Sequence, residues 1–161
     1  MAQAPKNCPC HSGLRYIACC APFHRATREA ETPEALMRSR YAAFSIGLGE
    51  YLVKTLASDH TDRSLPREAL VTGLSRAHDR QRFLGLSILH ACAEGDSGEV
   101  LFHARIFERG TDCSFVELST FRREDGAWRY VSGVLVPASR LPKDFGALDK
   151  PAFLACAGRE S

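Results

Sequence analysis

The segment that decides the fold spans residues 99–136 and reads EVLFHARIFERGTDCSFVELSTFRREDGAWRYVSGVLV. Its three apolar-rich runs, 99–107, 114–122 and 127–136, are separated by turn sequences, and a fourth run of the same kind, 83–93, precedes them. Runs of this length that are bounded by Gly, Asp and Ser are typical of β-strands joined by hairpins. The sequence therefore predicts an antiparallel meander of four strands.

Helices are predicted before the sheet. Thr32 is a favourable N-cap and Pro33 a favourable first residue for a helix whose apolar side chains recur at three- and four-residue spacing as far as Gly47. Shorter helices are predicted at 51–56 and 66–77. Because the helices precede a curved antiparallel sheet, the pattern indicates an α+β fold.

Composition and charge exclude several classes of protein. The 161 residues are 45% apolar and 25% charged, as in globular proteins. There is no apolar run of about 18 residues, so we expect no transmembrane segment, and the N-terminus lacks the apolar core of a secretory signal, so we expect a cytoplasmic protein. The formal net charge is only +2, without a basic stripe, which makes nucleic-acid binding an unfavourable interpretation.

Four of the seven cysteines lie close together, as C-x-C, eight residues and then C-C. Zinc takes four soft ligands in a tetrahedron, and thiolates satisfy it. A tight turn would present the first pair, and one helical turn over residues 14–18 would return the second pair. Four ligands leave no open position, so we expect one structural zinc ion. The predicted ligands are Cys8, Cys10, Cys19 and Cys20.

Other interpretations of the cluster stay open. Free thiols or disulfides are one, although the odd cysteine count argues against a disulfide framework and a bond between the adjacent Cys19 and Cys20 would be strained. A redox pair at the C-x-C turn is another, if zinc is absent. Cys92 and Cys113 are interpreted as buried apolar fillers rather than catalytic thiols.

The cysteine segment also carries a resemblance. Residues 8–20, CPCHSGLRYIACC, resemble the SEC-C zinc motif, because the pattern C-P-C-x-S-G-x-x-Y-x-x-C-C is kept whole. The rest of the chain as far as about residue 136 resembles the bacterial YchJ family, through residues 36–44, 51–52, 85–89, 100–105, 117–121 and 126–133. The resemblance implies a SEC-C zinc module followed by a nuclear transport factor 2-like domain, a cone of helices over a curved sheet. It implies an architecture rather than an activity.

The expected domains are a SEC-C module at 1–26, a nuclear transport factor 2-like domain at 30–137 and an irregular tail at 138–161. Many relatives end in a second SEC-C motif. Here residues 151–158 keep one cysteine and no second ligand, so one zinc ion is expected rather than two.

A cavity is expected where the sheet curls toward the first long helix. Glu117 and Ser119 alternate with aromatic side chains on one strand face, where burial would raise the pKa of the carboxyl unless a cation pairs with it. Arg38 and Arg40 could supply that cation. The residues fit either a structural ion pair or a general base or ligand anchor. The candidate pocket residues are Arg38, Arg40, Tyr41, His90, His103, Glu117, Ser119 and Trp128.

Three of these candidates have simpler interpretations. His90 and His103 lie on neighbouring predicted strands, where they could bind a metal or transfer protons, but lone strand histidines are more often structural. Trp128 and Tyr130 alternate along the last strand, and both are interpreted as core or dimer-face aromatics.

Three functions are compatible with the sequence. The favoured one is a non-catalytic adaptor whose zinc module binds a protein or ribosome-associated partner through Arg15, Tyr16, Arg25 and Arg28. The alternative is a cavity around Glu117 and Ser119 that binds, or acts on, a small molecule, so the question of enzymatic activity stays open. Nucleic-acid binding is the third. Monomer and homodimer are both compatible with the sequence.

Overall fold

The computed structural model describes residues 5–158. Five antiparallel strands form one sheet in the order β1-β2-β4-β5, with the short β3 paired to β2. The strands are β1 (Gln81–Glu94), β2 (Ser97–Glu108), β3 (Thr111–Asp112), β4 (Phe115–Glu124) and β5 (Ala127–Pro137). The predicted meander is confirmed, because successive long strands are neighbours in the sheet.

The helices precede the sheet, with one exception at the C-terminus. They are α1 (Ala21–His24), α2 (Pro33–Ile46), α3 (Gly49–Lys54), α4 (Arg67–Ser75), α5 (Ala77–Arg80) and α6 (Lys150–Gly158). Short 3-10 turns lie at Tyr16–Ala18, Thr61–Ser64, Ala138–Arg140 and Phe145–Ala147.

The ends of α2 follow from local chemistry. The Thr32 side chain accepts a hydrogen bond from the Ala35 amide and Pro33 occupies the first turn, as predicted. Gly47 ends the helix with a φ of 77°, a left-handed conformation that glycine adopts without steric cost. A side chain there would also collide with the His78 ring, 2.5 Å from the Cβ position.

The main core lies between α2 and the inner face of the sheet. Leu36, Met37 and Tyr41 of α2 pack against the alternating side chains of β2, and Trp128 closes the cluster. The inner residues of β2 are Val100, Phe102, Ala104 and Ile106, all buried. Alternation along β2 thus places one set of side chains on this core and the other on the opposite face.

The opposite face of the sheet is covered by the C-terminal segment. Leu101, Val116 and Val136 pack there against Leu141 and Phe153. The expectation of an irregular tail was wrong for α6, whose Phe153 is completely buried. Pro151 lies in the first turn of α6, where proline is tolerated because its missing amide has no helical partner.

The helices of residues 5–158 are short. The longest, α2, has 14 residues, whereas about 20 apolar residues cross a bilayer. None of the described helices has the length and hydrophobicity that a membrane span needs.

Candidate metal centre and cavity

The four clustered cysteines meet at one point. A short antiparallel bridge between Asn7 and Arg15, with the Cys8 amide donating to the Leu14 carbonyl at 2.9 Å, folds the C-x-C turn back on itself. The 3-10 turn Tyr16–Ala18 then returns the C-C pair. All four Sγ atoms lie within 4.8 Å of one another, and three of the residues are buried.

This geometry fits a tetrahedral metal ion. Zn–S bonds of about 2.3 Å place the sulfurs of a tetrahedron about 3.8 Å apart. The Sγ atom of Cys19 lies 3.6 Å from that of Cys10 and 3.9 Å from that of Cys20. The Ser12 hydroxyl contacts the Cys19 sulfur at 3.1 Å. The four sulfurs could therefore hold one metal ion.

The charges of the cluster also favour a cation. Hydrogen bonding to Cys10 raises the pKa of the Cys8 thiol to about 12 and raises the pKa of the Cys20 thiol, while hydrogen bonds with Cys20 and Cys8 lower the pKa of the Cys10 thiol. The crowded sulfurs oppose one another's ionisation. A divalent cation offsets half of the charge of four thiolates and so favours their deprotonation, which is why metal binding to such sites releases protons.

Residues 7–24, the cysteine module, are anchored on the side of α2 that faces away from the sheet. Arg38 donates to the Cys10 carbonyl at 3.0 Å and to Glu34 at 3.2 Å. His24 contacts the Ser39 carbonyl at 2.8 Å through Nε2. The expectation that Arg38 pairs with Glu117 was therefore wrong, since Arg38 points to the cysteine module.

Tyr16 anchors the module from inside. Only 5% of Tyr16 is exposed, and its hydroxyl lies 2.6 Å from His24 Nδ1. The carbonyl of Ser39 can only accept, so His24 carries its proton on Nε2 and accepts from Tyr16 at Nδ1; burial lowers the pKa of His24 and keeps it neutral. Tyr16 cannot present itself to a partner, which corrects that expectation.

The rest of the predicted partner surface is exposed. Arg15, Arg25 and Arg28 are exposed, as expected. Leu14 and Ile17, which were not among the predicted surface residues, flank Arg15 and are 55% and 63% exposed.

A cavity of about 510 Å³ lies between α2, the loop before α4 and the inner face of the sheet. Its walls are largely apolar and aromatic, with contributions from Met37, Tyr41, Phe44, Phe83, Phe102, Ile106 and Phe115. Two lining residues, Cys113 and Leu135, are exposed, so the cavity opens to solvent beside them. The polar side chains at the cavity wall include Arg40, His60, Asp62, Glu117, Ser119 and Tyr130.

Glu117 is the central polar group of this cavity. The hydroxyls of Ser119 and Tyr130 both donate to its Oε2 atom, the latter at 3.2 Å. Burial raises the pKa of the carboxyl, although the two hydroxyls and Arg40 favour its ionised form. The side chain lies against Gly133 of β5, where a Cβ atom would be 2.5 Å from Oε2. Glycine is required there because the carboxyl occupies the space of a side chain.

Arg40 faces the same cavity without forming the expected ion pair. It donates to the Leu52 carbonyl at 2.7 Å and to the Thr55 hydroxyl, and its Cζ lies 4.9 Å from the centre of the Tyr130 ring. Burial lowers the pKa of Arg40 to about 10, so the guanidinium is charged at neutral pH. Tyr130 stands between the two charges, which corrects the prediction of a direct contact between Arg40 and Glu117.

The structure does not bring the two strand histidines together. His103 pairs with Ser87, three residues from His90. His103 packs on Phe145 of the C-terminal segment, 4.7 Å between ring centres, and His90 is exposed. Neither lines the cavity. The prediction that His90 and His103 are pocket residues was therefore wrong.

Three other expectations have clear outcomes. Trp128 is a core residue, as interpreted, and donates to the Glu31 carbonyl at 3.2 Å. It does not line the cavity, so its prediction as a pocket residue was wrong. Tyr41 lines the cavity and donates to the Gly85 carbonyl at 2.9 Å. Cys92 and Cys113 are both exposed, so they are not the buried fillers expected.

The polar cavity residues that were not among the predicted pocket residues include His60, Asp62 and Tyr130. Tyr130 was interpreted as a core or dimer-face residue, yet its hydroxyl contacts Glu117. His60 and Asp62 belong to an irregular segment, and the Asp62 amide donates to His60 Nδ1 at 3.0 Å. Strand alternation could have placed Tyr130 on the inner face, but a register shift between Thr120 and Phe121 obscures that signal.

Comparisons with known proteins agree with this architecture. A family profile described as the YchJ middle NTF2-like domain matches residues 32–133. The UPF0225 protein YchJ of Shigella dysenteriae serotype 1 (strain Sd197) is 37% identical over 128 residues, which cover 78% of this chain and 81% of that protein.

Solved structures give the same result. A SEC-C motif containing protein from Rhodopseudomonas palustris is 36% identical, with a TM-score of 0.68, and the match covers 79% of this chain and 96% of that one. A second such protein, from Psychrobacter arcticus, is 24% identical with a TM-score of 0.64, and 96% of each chain is covered. With its four-cysteine cluster and its NTF2-like domain, the chain belongs to the YchJ (UPF0225) family.

Proposed function

We propose that this protein binds a small, largely apolar molecule in the cavity between α2 and the sheet, and that its four cysteines hold one structural zinc ion. The observation that carries the proposal is the convergence of Glu117, Tyr130 and Arg40 on a largely apolar cavity of about 510 Å³. Ligand sites are typically cavities of about 300–1,000 Å³ with apolar walls and a few placed polar groups.

The zinc ion would act on the fold rather than on the ligand. The four sulfurs supply a complete tetrahedron, so no position remains for a substrate. The cysteine module contacts one side of α2 through Arg38 and His24, while Arg40 and Tyr41 of the same helix line the cavity. Fixing the module thus helps fix the cavity wall.

The cavity is tested with toluene, which has the size and hydrophobicity that its aromatic walls favour. We expect toluene to shift the amide NMR signals of residues around Phe102 and Phe115 in ¹⁵N-labelled, zinc-loaded protein. The signals of α6, on the other face of the sheet, serve as an internal control and should not move. Unchanged signals at the cavity, up to the solubility limit of toluene, would contradict ligand binding.

Partner binding by the cysteine module is a second candidate. The observation that favours it is the exposure of Leu14 and Ile17 on either side of Arg15, in the segment between the two cysteine pairs. Apolar side chains exposed together are typical of protein interaction sites. The partner would be a protein or a ribosome-associated component, and a nucleic acid is disfavoured by the low net charge.

The second candidate is tested with matched variants. Ile17→Ser should abolish capture of a specific partner from a cell extract, while Leu65→Ser, which changes a side chain that is 51% exposed elsewhere, should leave it intact. Equal capture by both variants would contradict a partner site on the module.

A further inference from the structure

We propose that the ligand of the cavity presents a hydrogen-bond acceptor and a donor side by side, as a carboxamide does, with the acceptor toward Arg40 and the donor toward Glu117. This inference rests on the proposed function, because it names the chemistry of the molecule that the cavity would bind. It depends on the unused hydrogen-bonding atoms of Arg40, which is buried, and of Glu117, which is partly buried.

Glu117 has one carboxylate oxygen to offer. Both hydroxyls that reach the carboxyl, those of Ser119 and Tyr130, donate to Oε2. No donor within residues 5–158 reaches Oε1. The described structure contains no buried side-chain oxygen or nitrogen that lacks a partner, so Oε1 retains exposure, and the space that Glu117 lines is the cavity. Oε1 therefore accepts from a ligand.

Arg40 has donors to offer. Its Nη1 atom donates to Leu52 and Thr55, and a guanidinium has five N–H groups in all. The Nε and Nη2 groups meet no acceptor in the part of the chain that the structure describes, although Arg40 is only 7% exposed. By the same argument as for Glu117, these N–H groups reach the cavity. A ligand acceptor would complete their hydrogen bonds.

The two charges together select a dipolar, uncharged group. An anion would meet Glu117 and also Asp62 at the cavity wall, while a cation would meet the Arg40 guanidinium. A buried like charge is costly to accommodate, whereas a group with a carbonyl and an N–H satisfies both residues at once. The aromatic side chains of Phe83, Phe102 and Phe115 would contact the apolar part of the same molecule.

Three probes of nearly the same shape separate these possibilities. Benzamide has an acceptor and a donor, benzoate has acceptors only, and benzamidinium has donors only. We expect NMR titration of the zinc-loaded protein at neutral pH to show that benzamide binds about tenfold more tightly than either ion, because each ion leaves one buried charge unpaired. Binding of benzoate or benzamidinium as tight as that of benzamide would overturn the inference.

A variant then identifies the residue responsible. Glu117→Gln removes the negative charge and adds a donor at the same position, so benzoate should approach the affinity of benzamide, while benzamidinium should still be rejected. Glu68→Gln, on the exposed side of α4, is the matched control and should leave the ranking unchanged. An unchanged order of the three affinities in Glu117→Gln would overturn the assignment of the negative charge to Glu117. If that variant does not fold, the order of affinities in the native protein decides whether the inference stands.

The outcomes distinguish this inference from the proposed function. If toluene binds but benzamide is not preferred over the two ions, the inference is overturned and ligand binding stands. If toluene and all three probes fail to bind, the proposed function fails and the inference fails with it.

Discussion

Glu117 links the stability of this fold to pH. Burial raises the pKa of its carboxyl above the ordinary value of 4.5. The folded protein therefore holds the proton more tightly than the unfolded chain does, and the carboxyl destabilises the fold as pH rises from 4.5 through the raised pKa. At lower pH, where the carboxyl is protonated in both states, this penalty disappears.

The first prediction follows from that sign. The free energy of unfolding of Glu117→Gln, relative to that of the native protein, should increase as pH rises above 4.5 and level off above the raised pKa. Urea unfolding of both proteins at a series of pH values measures the difference, and effects of pH on the shared cysteine cluster cancel. A difference that is independent of pH would contradict the buried, titrating carboxyl.

Gly133 gives a second prediction at the same site. Gly133→Ala would place a methyl group 2.5 Å from Oε2 of Glu117 and 2.7 Å from the Tyr130 hydroxyl, so we expect a loss of about 1–3 kcal/mol in unfolding free energy. Gly85→Ala is the matched control, since its methyl group would meet Arg105 at an ordinary 3.4 Å. Equal stability of the two variants in urea unfolding would show that Glu117 does not occupy this space.

Single residues were predictable when their chemistry is local. The number and spacing of the four cysteines predict a metal site, and Thr32 predicts the start of a helix. The contacts of Arg38 and Arg40 could not be distinguished from the sequence, because both residues lie on one helix. Only the position of that helix shows that Arg38 faces the cysteine module and Arg40 faces the cavity. Tyr130 was missed for the same reason, since its role depends on a contact with another strand.

At the scale of elements, the long strands were predictable because alternation and turn residues agree over their whole length. The C-terminal helix was not. Asp149 caps this helix, since its side chain accepts a hydrogen bond from the Ala152 amide at 2.9 Å. Residues 150–158 nevertheless carry apolar side chains all round, so helical periodicity does not indicate α6. Its position is determined by the uncovered outer face of the sheet, which a local pattern does not reveal.

The third prediction concerns this helix. Phe153→Ala should cost about 3–5 kcal/mol in unfolding free energy, because Phe153 is fully buried against the outer face of the sheet. The next residue supplies the control: Leu154 is 39% exposed, and Leu154→Ala should cost much less. Chemical denaturation of the two variants measures the contrast, and a small loss for both would mean that α6 does not stabilise the sheet.

The whole molecule connects the cysteine module to the sheet through α2. A fourth prediction is that removal of the metal with a chelator increases amide hydrogen exchange in residues 7–24 and in α2 near Ser39, while β2 and β4 stay protected. The reason is that the module has little apolar core besides the cysteines, Tyr16 and Ala21, which pack on Ala42 of α2, whereas the sheet has its own core. Exchange that increases uniformly over the chain would contradict this independence.

A matched pair of variants supports the same experiment. Cys19→Ser removes one ligand and should lower the Tm, by about 2–4 °C for each kcal/mol lost. Cys113→Ser changes an exposed thiol outside the cluster and should leave the Tm unchanged. If the two variants have the same Tm, the cluster does not stabilise the protein through a metal.

The shared helix also restricts how this chain can diverge. Within one turn of α2, Arg38 and Ser39 contact the cysteine module, and Arg40 and Tyr41 line the cavity. Insertion of one residue in this turn would rotate the following helical residues by about 100° relative to the preceding ones. Either the contacts with the cysteine module or the residues that line the cavity would then be misplaced. Recombination between diverged relatives would therefore be tolerated in the exposed segment 25–29 rather than within the helix, and α2 would be inherited as one block.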